Sequence, residues 1–116
     1  MDGERDLARL LAALDPQLLP ERYSFSVTDD PHLGDGVFAV IREAEGLTVI
    51  RPDPAGEWGR ISLSVHSSLD AVGLTAVLAT RLAERGISAN VVAAFRHDHF
   101  FVQWDRREEA LEAIRG

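Results

Sequence analysis

Polar residues with chemistry open to them gather at two breaks in the chain, His66-Ser-Ser-Leu-Asp70 and Arg96-His-Asp-His99, with Ser88 and Asn90 shortly before the second. Imidazole and carboxylate together suit a transition metal, and His97, Asp98 and His99 with His66 would be the set. The spacing is a weak signal because no second cluster supplies the remaining ligands, so no metal and no cofactor is expected. Hydrolysis is less favoured still. Ser67, His66 and Asp70 sit too close in sequence for a triad, which is an arrangement in space, and the chain reads as a non-enzyme. Binding is the better reading. Ser67 to Asp70 fits a capping box whose spare amides attract an anion such as an α-carboxylate, while Asp98 can meet an ammonium or guanidinium. Opposite preferences at two breaks suit a zwitterion, although a plain helix cap and a plain turn aspartate would also account for these residues.

The elements that must hold these residues follow from composition and pattern. A chain of 116 residues, 46% hydrophobic and 27% charged, is of ordinary globular type and supports one compact domain or two small subdomains. Its net charge of −7 disfavours nucleic acid and anionic membranes as partners. All twelve basic residues are arginine and there is no cysteine, which excludes Schiff-base lysine, thiol nucleophiles, thiolate metal sites and disulfides. No apolar run is long enough to span a bilayer and the first residues are too acidic for a signal peptide, so a cytoplasmic location is expected.

Leu7, Leu10, Leu11 and Leu14 recur at helical spacing, and Pro16 and Pro20 predict a turn-rich link after them. Tyr23 to Val27 alternates as a strand, 28–36 reads as loop, and 37–42 with 47–51 reads as a hairpin turning at Gly46. The segment 51–56, with two prolines and a glycine, predicts a linker and a boundary between subdomains 1–56 and 57–116. Beyond it, Ile61, Leu63 and Val65 predict a strand that delivers His66 to its end. A helix is predicted from Ser67, carrying Val72, Ala76, Ala79 and Ala83 inward with Leu78 and Leu82 beside them, and closed by Gly86. Strands over 87–95 and 100–104 flank the turn 96–99, and Asp105 predicts the cap of a last helix. Phe100, Phe101, Val102 and Trp104 place aromatics on both faces of one strand, one face for the helices and the other to meet the first subdomain or a second chain, unless Trp58 and Trp104 only close the intramolecular core.

The order β-α-β-β-α is ferredoxin-like without its last strand, which the first half could supply. The stretches His66-Ser-Ser-Leu-Asp-Ala-Val-Gly-Leu-Thr75, Gly86-Ile-Ser-Ala-Asn90 and Phe95-Arg-His-Asp-His-Phe-Phe-Val102 resemble the ACT domain of bacterial proteins related to cytosolic arginine sensors. Residues 22–50 are similar to the incomplete N-terminal ACT unit of that family. The resemblance implies an α+β fold of two ACT-like subdomains, α-β-β-β and then β-α-β-β-α, with an antiparallel sheet and helices packed on one face. It also implies an amino acid or similar metabolite bound where two units meet. The matching positions are His66, Ser67, Ser68, Val72 and Gly73 in the loop, Ser88 with Ala89 at the amino-acid end, and Asp98, three residues after Phe95, facing a guanidinium. With a single pair of units, a complete interface requires a homodimer. Two other classes stay open: an interaction module without ligand, and a metal protein using the histidines.

Overall fold

The computed structural model describes residues 6–64 and 72–116. Asp6 starts helix α1 (Leu7–Ala12) by accepting the Arg9 amide at 3.2 Å, and the leucine stripe behind it buries Leu10 completely. Strand β1 (Pro16–Thr28) follows at once. The predicted link at Pro16 and Pro20 is therefore a strand, 13 residues long. Proline is tolerated there because β1 pairs with the later strand β4 (Trp58–Leu63) on one side only in this stretch, and its register slips between Leu18 and Arg22, around Pro20.

The hairpin forms as its sequence requires. Strands β2 (Ala39–Glu43) and β3 (Gly46–Pro52) turn through Ala44 and Glu45, and Gly46 takes φ +139°. β3 then pairs with the far half of β1, from Tyr23 to Thr28. The segment after β3 is held firmly: the Asp53 amide donates to the Arg22 carbonyl, and the amides of Ala55 and Gly56 donate to Asp53. A Cβ at Gly56 would lie 2.2 Å from the Tyr23 carbonyl oxygen, so only glycine lets the chain cross β1 this closely.

Helix α2 (Leu74–Ala83) begins several residues after the predicted start. Its N-cap is Gly73 at φ +96°, and Ser67 to Asp70 lie outside the described residues. Its buried stripe is Leu74, Leu78 and Leu82 at four-residue spacing, whereas Ala76 and Ala83 are exposed and Val72 precedes the helix. Gly86 closes it as expected, at φ +70°, with its own amide bonded to Ala83 and that of Ile87 bonded to Leu82. Arg106 donates to the Arg85 and Gly86 carbonyls at 2.8 Å each, placing a cation on the negative end of the helix.

Strands β5 (Asn90–Ala93) and β6 (Asp98–Gln103) are shifted from their predicted limits, and the turn between them is 94–97, closed by the Ala94 amide on the His97 carbonyl. Asp98 and His99 thus belong to β6. A 3-10 turn (Trp104–Arg106) leads into helix α3 (Arg107–Arg115). Asp105 sits inside that turn and does not cap the helix, because the chain is already helical when it reaches Arg107.

The six strands among the described residues join one antiparallel sheet in the order β2-β3-β1-β4-β6-β5. β1 lies beside β4 where a ferredoxin-like unit has its last strand, so the first half completes the second. The sheet runs unbroken across the boundary expected near residue 56. One face carries the three helices over Ile61, Leu63, Phe100 and Val102, each fully buried. The other carries a smaller cluster of Tyr23, Ile50 and Phe101 with Phe38, Trp58 and Val92.

Candidate functional site

Strand β6 sends adjacent residues to opposite faces. Asp98 shares the side of Phe100, and His99 shares that of Phe101. On its side Asp98 is half-buried with no hydrogen bond or ion pair among the described residues, and burial raises its carboxyl above the ordinary aspartate value against a smaller opposing pull from His97. His99 meets a cation. Its Nδ1 lies 3.2 Å from Nη1 of Arg60, and burial first, then Arg60 and His97, lowers its pKa to about 4. His97, Asp98 and His99 therefore do not converge as a ligand set, and no cluster of three metal-ligating side chains occurs among the described residues.

The residues expected to bind a ligand fall at two ends of the molecule. Asp98 opens β6, and Phe95 stands on the preceding turn, 60% exposed. Helix α2 finishes near the far end of β6, where Arg106 reaches Gly86, so its start at Gly73 and the exposed Val72 lie towards Asp98. The left-handed φ of +96° calls for glycine at position 73, and a Cβ there would also crowd Leu7 Cδ2 at 3.2 Å. Ser88 and Ala89 lie at the opposite end. The Ser88 amide donates to Gln103 Oε1 at 3.3 Å, and Gln103 is at the other end of β6 from Asp98, roughly 16 Å along the strand. Ala89 packs on the helix-side core, and Ser88 is exposed. One chain thus does not bring Ser88 to Asp98. His66, Ser67 and Ser68 lie outside the described residues.

Beside Ser88 is a cavity that sequence reasoning missed. It measures about 360 Å³ and is lined by Arg22, Glu57, Trp58, Gln103, Trp104 and Asp105. Arg22 is stacked 4.7 Å over Trp104 and anchored by its Nε donating to the Gly56 carbonyl at 2.9 Å. The Arg107 guanidinium also lies over the Trp104 ring, 3.7 Å from its centre. Two tryptophans in a short acidic chain were the available signal. Only the pairing of Trp58 with Gln103 and of Tyr23 with Trp58 brings the lining together, and no local pattern encodes those registers.

This sheet with helices on one face defines an α+β protein of ferredoxin-like architecture. Two family profiles, each described as an ACT domain, match residues 57–116 and 2–58. The chain belongs to the ACT-domain family. It is similar to a protein of unknown function from Vibrio cholerae, designated a possible transport protein, at 39% identity over 90% of both chains with a TM-score of 0.79. The fold is shared with a protein from Agobacterium tumefaciens, at 19% identity, 85% and 84% coverage of this chain and that one, and a TM-score of 0.61. It is shared also with the ligand-free regulatory subunit of aspartate kinase from Thermus thermophilus, at 12% identity, 88% and 96% coverage, and a TM-score of 0.66. Among curated proteins nothing matches. ACT domains are regulatory modules that bind small ligands such as amino acids and often dimerise. No helix among the described residues is long and apolar enough to cross a membrane.

Proposed function

We propose that this protein is a non-enzymatic, cytoplasmic sensor or regulatory module of two ACT units, 1–56 and 57–116, which binds an amino acid where units of a homodimer meet. The observation that carries this reading is that ACT-domain matches extend over both halves of the chain. Two features of the site support it. Asp98 is a partly desolvated carboxylate with no ion pair among the described residues, and burial disfavours its charged form, a cost that a ligand ammonium or guanidinium would relieve. Ser88 adjoins a cavity carrying charges of both signs, which complements a zwitterion. Because these features lie at opposite ends of one hairpin, a second chain is the economical way to face one against the other.

A thermal-shift screen of the twenty amino acids tests the proposal. Stabilisation by one or a few of them, weakened in Asp98→Asn and in Ser88→Ala, is the expected result. A dimer that responds to none of them would favour the interaction module instead.

A further inference from the structure

The helix-free face of the sheet holds a cation with no counter-charge paired to it among the described residues. Arg60, half-buried on β4, has no ion pair among the described residues. Neutral groups hold it: Nε donates to the Tyr23 hydroxyl at 2.9 Å and Nη1 approaches His99 Nδ1 at 3.2 Å. Its Cζ lies 4.5 Å from the centre of the Phe38 ring and 5.2 Å from that of Tyr23. These contacts fix the guanidinium while leaving Nη2 without a hydrogen-bond partner among the described residues. Among the described residues the only buried side-chain nitrogen or oxygen lacking a hydrogen bond is Nδ1 of His97, so Nη2 of Arg60 is open to solvent. When Nδ1 of His99 accepts from Arg60, the ring proton resides on Nε2, which is a second unpaired donor open to solvent.

Around these donors the face is apolar and unfinished. Phe101 is Arg60's partner across the strands and touches the rings of Tyr23, Phe25 and Phe38. Phe25, Val27 and Ile41 continue the surface at 39%, 65% and 46% exposure. We infer that this face is a binding site for a small monocarboxylate with an apolar or aromatic body, its carboxylate on Arg60 and its body on the rings around Phe25. A single arginine matches a single negative charge, whereas a phosphate dianion would bring a second charge that no ion pair among the described residues of this face offsets. The site is separate from the Ser88 and Asp98 positions and does not depend on them.

Benzoate is the probe. The melting temperature of the full chain should rise with benzoate concentration, benzyl alcohol of the same shape should leave it unchanged, and Arg60→Gln should weaken the benzoate response at least tenfold. In NMR spectra of the unaltered protein, benzoate should shift the Arg60 Nε–H and the His99 ring signals, a readout that stands even if Arg60→Gln folds poorly. No response to benzoate, an equal response to benzyl alcohol, or an equal response to inorganic phosphate would overturn the inference. So would shifts confined to Ser88 and Asp98. Conversion of a dimer to a monomer by Arg60→Gln, with no benzoate response in the unaltered protein, would assign Arg60 to a carboxylate of a second copy and overturn it too.

Discussion

The two faces of the sheet solve the same burial problem with different chemistry. On the helix side Ile61, Leu63 and Val102 meet Leu10, Leu78, Leu82 and Ile114, and among the described residues no polar side chain is fully buried there. On the other side aromatic rings meet edge to face, and Arg60 and His99 stand among them. An aliphatic layer is closed by helices that bring matching apolar stripes. The aromatic layer has no such lid, so its outer members stay exposed and its polar groups keep hydrogen-bond capacity to spare. The closed face provides stability, and the open face retains surface that can be recognised.

Adjacent phenylalanines on β6 test this contrast most directly. Phe100 and Phe101 are both fully buried but point to opposite faces. Phe100→Ala should cost about 4 kcal/mol in chemical denaturation, because the helices above it cannot collapse into the space. Phe101→Ala should cost less, about 2–3 kcal/mol, because neighbours on an open face can relax and water can enter. Equal losses would mean that the aromatic face is as tightly closed as the other.

A smaller effect separates the faces by pH. His99 has a folded pKa of about 4 against 6.5 for the free side chain, so the unfolded chain takes up the proton first. Its contribution is complete above about pH 6.5 and is lost as pH falls towards 4, a change of about 1–2 kcal/mol after allowance for partial exposure. The stability difference between the unaltered protein and His99→Gln should shrink across that window. A difference that stays constant with pH would remove His99 from the account. The smallest effect belongs to the opposite side of β6. The Asp98 carboxyl is raised from 3.8, so folding is penalised when it is ionised, and Asp98→Asn should raise stability at neutral pH by roughly 0.5 kcal/mol. The gain should vanish below pH 4, and a loss at neutral pH would show that the carboxylate has a stabilising partner.

Much of the helix-side layer was legible because it is written in local periodicity. The leucines of α1, the Gly46 turn and the Gly86 helix end each depend on residues within a few positions of one another. The aromatic face was not legible, since Arg60 reaches Tyr23 across 37 positions and His99 across 39. Pro16 and Pro20 misled for a related reason: proline signals a break unless the chain knows which strand edge will be unpaired. The candidate site was legible as residue types but not as a place. Ser88 and Asp98 are ten positions apart in sequence, and the β5–β6 register then sets them at opposite ends of the hairpin.

Strand β1 imposes an order on biosynthesis. As the chain leaves the ribosome, β1 can pair with β3 at once, but its other edge has no partner until β4 follows. Translation therefore produces an interval in which a bare strand edge and the uncovered leucines of α1 are exposed together, the combination that invites association with other nascent chains. The middle of the sheet is completed late, and a pause in translation between β3 and β4 would fall where this protein is most vulnerable.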